Sequence, residues 1–173
     1  FVFFVNEANP VRNLTLDQVR DIYSRRITNW KQVGGADQPI IAFQRPEDSG
    51  SQTAMLAMVM KDRQPARPLK EERAATMGGV ITEVAGYRDL AGAIGYSFRW
   101  YATVMNANPH IRLVAIDGTE PTVANIRDGS YPLTGQLNIV TAGAPTAATR
   151  SLIEWTVSAA GQDLLEKTGY VRR

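Results

Sequence analysis

Pro39-Ile40-Ile41-Ala42-Phe43-Gln44-Arg45-Pro46-Glu47-Asp48-Ser49-Gly50-Ser51-Gln52-Thr53 reads as a strand, a tight loop and the first turn of a helix. The strand is the apolar run 39–43, and the helix continues through Ala54-Met55-Leu56-Ala57-Met58-Val59-Met60. Ser49 is the expected N-cap, with Gln52 closing a capping box. A helix start leaves roughly four backbone N–H groups without intrahelical acceptors, and they carry partial positive charge. Gly50 allows close approach to the backbone. Ser49 and Ser51 add hydroxyls, and Arg45 adds a planar fork suited to phosphate or carboxylate. The loop is equipped to hold a small oxyanion, with Gln52 and Thr53 as secondary donors.

Outward from this loop, strands alternate with helices. Phe1-Val2-Phe3-Phe4-Val5 is a continuous apolar run, typical of a strand buried on both faces. Thr15 and Gln18 form a capping box ahead of a helix that buries Leu16, Val19, Ile22 and Tyr23. Trp30 anchors the turn 27–35. The helix over 50–61 turns Ala54, Met55, Met58 and Val59 inward. The connection 61–73 reads as solvated, with Glu71 and Glu72 on an exposed face. A helix starts near Met77, where Gly78 and Gly79 either present backbone donors to a ligand or allow close packing. Strands are expected over 93–98, 111–116 and 131–140, with a turn at Asp117-Gly118. Pro121 to Asp128 is a short helix stopped by Gly129. The helix from Pro145 to Ser158 is expected to bury Leu152, Ile153, Trp155 and Thr156. A last helix over 159–167 stops at Gly169. The pattern is α/β, a mixed sheet flanked by helices.

Composition excludes several function classes. The 173 residues carry 19 basic and 17 acidic side chains, a balance too even for nucleic-acid binding. Cysteine is absent and histidine occurs once, so neither a disulfide framework nor a thiolate metal site is available. Carboxylates at ligand spacing are missing, and no metal or cofactor is expected. Ser49 and Ser51 occupy a corner that nucleophiles use, but there is no Gly-x-Ser-x-Gly, and His110 lies in a surface-loop context. A phosphate loop of the Gly-x-x-x-x-Gly-Lys type is also missing. No apolar run approaches the roughly 18 residues of a membrane span. What remains is anion binding without catalysis.

The landmarks around the loop extend this reading. Asn9-Pro10-Val11-Arg12-Asn13-Leu14-Thr15, Ile22-Tyr23-Ser24 and Ile27-Thr28-Asn29-Trp30 precede it in fixed order. Ala93-Ile94-Gly95-Tyr96, Ile116-Asp117-Gly118-Thr119-Glu120-Pro121-Thr122, Tyr131-Pro132-Leu133 and Gly161-Gln162 with Gly169-Tyr170-Val171 follow it. Together with Arg45 and Ser49-Gly50-Ser51, they resemble the phosphate-binding proteins of bacterial phosphate ABC transporters. The form of the loop is most similar to a membrane-attached branch from Gram-positive bacteria. Arg25 stands where that family usually has glycine, and Ser51 replaces its threonine.

The resemblance implies a two-lobed, type II periplasmic-binding-protein fold with phosphate in the cleft. It makes residues 6–133 the second ligand-binding lobe. Residues 1–5 and 134–173 become inter-lobe crossing strands and the C-terminal part of the first lobe, with the return crossing over 133–140. A start inside a buried strand implies a piece of a longer chain, with the N-terminal part of the first lobe missing. That lobe would supply further donors and the carboxylate that accepts the proton of hydrogen phosphate. The implied function is that of a non-enzymatic solute receptor of an ABC importer. It would be extracytoplasmic, lipid-anchored through a segment outside this chain, and partnered by permease subunits. The alternative is a sensory or interaction domain of the same fold that has lost or changed its oxyanion. Glu47 and Asp48 are expected to cap the helix or pair with Arg45, and self-association is expected to hide Phe1–Val5.

Overall fold

A computed structural model describes residues 1–86 and 91–172. Its central element is β1, Val2–Asn6, every residue of which is buried. Side chains alternate across a strand, and β1 uses both faces. Phe1, Phe3 and Val5 enter one core with Val19, Ile22, Tyr23, Met55, Val59 and Met60. Val2 and Phe4 enter the other with Val80, Ile81 and Val84. A run with no polar face therefore fits a strand covered on both sides.

The four-stranded sheet has the order β3-β4-β1-β5. Strand β4, Ala93–Ser97, runs antiparallel to β1 with Val5 opposite Ile94. Strand β5, Ile111–Leu113, runs antiparallel along the other edge with Val5 opposite Arg112. Strand β3, Ile41–Ala42, pairs parallel with β4. A second, two-stranded parallel ladder joins β2, Asn13–Leu14, to β6, Ala115–Ile116. The mixed sheet flanked by helices is the architecture expected.

Helix α1, Leu16–Tyr23, starts at the expected Thr15–Gln18 box. Trp30 is buried, and its indole N–H donates to Gly92 O at 2.9 Å. Helix α2, Gly50–Ala54, continues as a π-helical turn over Met55–Met60. The widened turn buries Met55, Val59 and Met60, while Ala54 and Met58 are only partly buried. Helix α3, Met77–Gly86, packs on β4. Helix α4, Val123–Arg127, is capped by Thr122, so Pro121 lies just outside it.

Several expectations fail. Residues 134–140 form no strand: no strand among the described residues lies beside them, and Leu137, Ile139 and Val140 are exposed. Helix α5, Ala147–Val157, forms under a Thr146 cap but buries none of its side chains; Leu152 and Trp155 are 61% and 46% exposed. Periodicity and capping suffice for the helix, but on the expected apolar side only Ile153 and Thr156 are half-buried. Phe1–Val5 are buried within the chain itself. Helix α6, Ala159–Lys167, ends as expected at Gly169, whose φ is +91°. Arg127 and Glu166 meet at 2.7 Å, and Gly169 lies against the Trp100 ring, where an added Cβ would fall 1.7 Å from Cε3.

Glu72 is 4% exposed rather than solvated. It accepts from Arg25 Nη2 at 2.5 Å and from the Leu69 amide at 2.7 Å. Arg25 has φ +59°, the left-handed region that glycine adopts freely. His110 likewise has a partner, with Nδ1 2.5 Å from Glu7 Oε1 on the surface.

Candidate functional site

The loop between β3 and α2 is held from below by the sheet. Gln44 exchanges backbone bonds with the 72–74 segment: its amide donates to Glu72 O at 2.8 Å and its carbonyl accepts from Ala74 N at 3.0 Å. Ala74 O in turn accepts from Arg45 Nη1 at 2.9 Å. The Arg45 amide donates to Tyr96 Oη at 3.1 Å and to Gln52 Oε1 at 3.3 Å. Tyr96 donates its hydroxyl proton to Gln52 Oε1. Tyr96 is fully buried on β4, and burial pushes its phenol up to about 12. It stays a neutral donor that fixes the loop to the central sheet.

Ser49 caps α2 as expected, its Oγ accepting from Gln52 N at 3.2 Å. The capping box is only half made. Gln52 is buried and its side-chain oxygen is committed to Tyr96 and Arg45, so it positions the loop instead of closing the box. Thr53 is exposed, and its hydroxyl turns back to Ser49 O at 3.2 Å. Ser49 O also accepts the Thr53 amide at 2.9 Å, whereas no acceptor among the described residues takes the amides of Gly50 and Ser51. A Cβ placed on Gly50 would meet nothing within 4 Å, so the space at the first turn is open.

Two side-chain donors at this corner are left over. Arg45 Nε and Ser51 Oγ are shielded from water and have no hydrogen-bond partner. A buried polar group without a partner typically costs about 1–3 kcal/mol. They coincide at one helix start, beside two amides without an acceptor among the described residues, a grouping of donors that suits an anion. Glu47 and Asp48 do not pair with Arg45; both are exposed, and Arg45 is turned toward Ala74 O. At α3, the Gly79 amide is already taken by Thr76 Oγ1 at 2.9 Å. A Cβ on Gly78 would lie 2.9 Å from Asn106 Oδ1, which is the close-packing role.

The structure therefore brings together Arg45, Ser49, Gly50 and Ser51, assigns Gln52 to support, and turns Thr53 away. Tyr96 is the residue that sequence reasoning passed over as a mere landmark. Nothing local ties position 96 to position 45; only the pairing of β3 with β4 does so. Among the described residues, no group of three or more His, Cys, Asp and Glu side chains is placed to hold a metal ion.

Residues 1–160 match the PBP superfamily domain. The chain belongs to that superfamily. Among curated proteins, it is 28% identical to the phosphate-binding protein PstS of Bacillus subtilis, over 89% of this chain and 48% of the relative. It is 25% identical to PstS of Borreliella burgdorferi, over 98% of this chain and 62% of the relative. The chain thus spans about half to two thirds of the length of these relatives. Among solved structures, a putative phosphate ABC transporter substrate-binding protein from Clostridium perfringens, with bound phosphate, superposes with TM-score 0.73 at 29% identity. That match covers 99% of this chain and 68% of the other. An ABC-type phosphate transport receptor from Vibrio cholerae gives TM-score 0.77 at 25% identity, with the same coverage. The PBP superfamily membership agrees with the fold expected from the sequence, and no helix among the described residues is long and apolar enough to cross a membrane.

Proposed function

We propose that this chain is the anion-loop part of a phosphate receptor that serves an ABC importer without catalysing a reaction. The observation that carries the reading is the pair of unsatisfied, shielded donors, Arg45 Nε and Ser51 Oγ, at the start of α2. Phosphate oxygens would accept from these two groups and from the amides of Gly50 and Ser51. Arg45 supplies the charge-assisted contact. Ser49 stays with the helix cap, and Gly50 keeps the approach open. The named phosphate-binding relatives support the choice of phosphate among oxyanions.

On this reading residues 6–133 are the ligand lobe, with β1 built into its sheet, and 134–173 belong with the first lobe of a longer protein. The receptor works outside the cytoplasm, delivers phosphate to permease subunits, and is held at the membrane by an anchor elsewhere in the protein. The test is titration calorimetry of phosphate against the longer protein containing this chain. Arg45→Ala is expected to abolish binding and Ser51→Ala to weaken it about tenfold, the effect of one neutral donor. Unchanged affinity in Arg45→Ala, with the fold intact by circular dichroism, overturns the assignment.

A further inference from the structure

A second group of underused cationic donors lies away from the α2 loop. A cavity of about 330 Å³ is lined by Arg12, Arg99 and Arg112, together with Leu113, Glu120, Pro121, Thr122 and Val123. Its size is at the lower end of small-molecule sites and exceeds what one tetrahedral ion needs. The three arginines come from separate parts of the fold: Arg12 precedes β2, Arg99 follows β4, and Arg112 is on β5. Sheet pairing, not sequence proximity, gathers them.

Their existing bonds leave much of this charge uncompensated. Arg112 Nη2 donates to Val11 O at 3.1 Å and to Asn9 O. Its Nε and Nη1 are shielded from water and have no partner. Arg99 Nε donates to Pro121 O at 2.9 Å. Among the described residues, none of the three is in an ion pair, and the sole carboxylate of the lining, Glu120, is exposed. Burial, and then the neighbouring charge of Arg12, lowers the proton affinity of Arg112. Like charges collected beside a cavity, with two guanidinium donors unmet, are unfavourable unless an anion offsets them. Leu113, Pro121 and Val123 supply an apolar wall that favours a compact organic or condensed anion over a hydrated ion.

We propose that the Arg12–Arg99–Arg112 cavity is a second anion site, for a small polyanion carrying at least two phosphoryl or carboxylate groups. Arg112 contributes two single donors, its partnerless Nε and Nη1, each able to bond a separate anionic oxygen. Arg12, which is exposed and has no side-chain bond, reaches a second group from the rim. The site is independent of the α2 loop, so it stands whether or not that loop binds phosphate.

Calorimetry of the full chain tests it with two probes, inorganic pyrophosphate for phosphoryl groups and citrate for carboxylates. Each is titrated into the wild type, Arg45→Ala, Arg12→Gln and Arg112→Gln, with circular dichroism as the folding control. At least one probe is expected to bind Arg45→Ala, in which any contribution of the α2 loop is removed. Arg12→Gln is expected to weaken that binding about tenfold, and Arg112→Gln to abolish it. Which probe binds identifies the anion chemistry. Arg12 holds no other side chain, so its variant remains informative if Arg112→Gln fails to fold. Binding lost in Arg45→Ala, binding unchanged in Arg12→Gln, or no binding of either probe overturns the proposal.

Discussion

Residues 1–133 and residues 134–172 use the same local grammar with opposite results. Both parts have capped helices: Thr15 and Ser49 in the first, Thr146 and Ser158 in the second. Both end turns on glycines with positive φ, at Gly118 and Gly169. Yet the first part closes two cores over β1, while α5 buries no side chain and α6 only Gly161. Helix formation and helix burial are separate events. The first is decided within a few residues, and the second needs a partner surface that local sequence does not specify.

The sharpest way to break this contrast is to cut one large side chain from each part. Phe4→Ala, at a fully buried position, is expected to cost about 3–5 kcal/mol in urea unfolding. Trp155→Ala on the exposed side of α5 should stay within about 0.5 kcal/mol. Comparable losses would mean that α5 is packed in solution. A smaller effect is expected where the first part binds its own connection, at Arg25 and Glu72. Arg25→Ala leaves Glu72 buried and unpaired while keeping a strained left-handed residue, at a cost of about 2 kcal/mol, discounted because Arg25 is partly exposed. Arg25→Gly loses the same ion pair but relaxes the backbone, and should recover about 1 kcal/mol of that. Equal midpoints for the two variants would show that the left-handed turn carries no strain.

The smallest effect appears only in alkali. Tyr96 ionises near 12 in the fold and near 10 when unfolded. The unfolded chain therefore loses this proton first as pH rises. Stability is intact below about pH 10 and drains away between 10 and 12, as the phenolate becomes accessible only by unfolding. Burial also pushes the Tyr23 and Tyr131 phenols up, so ultraviolet titration should show three late-ionising tyrosines among the described residues and two in Tyr96→Phe. An identical late ionisation in wild type and Tyr96→Phe would separate the α2 loop from the rigid sheet.

What could be read from the chain follows the range of the force involved. The Thr15–Gln18 box, the Ser49 cap, the Gly169 stop and the grouping of Arg45 with Ser49-Gly50-Ser51 depend on neighbours within a few residues, and all were legible. Two-sided burial of β1 was legible too, because a run without a polar face has only one comfortable place. The failures depend on distant partners. A strand over 134–140 needs a neighbour to pair with, and the periodic Leu152 and Trp155 need a surface to meet. Glu72 looked solvated because its cation, Arg25, is 47 residues away. Gln52 looked like half of a capping box until Tyr96 from β4 claimed its side chain.

The central position of β1 also has a price during synthesis. Its partner in β4 follows about 90 residues later, since Val5 lies opposite Ile94. At ribosomal speeds of about 5–20 residues per second, the apolar strand waits roughly 5–18 s before its first ladder can close. Val2-Phe3-Phe4-Val5 is uncharged, β-prone and free of proline, the composition that self-assembles when left unpaired. For several seconds per molecule, a segment that the folded protein buries completely stays apolar and unpaired.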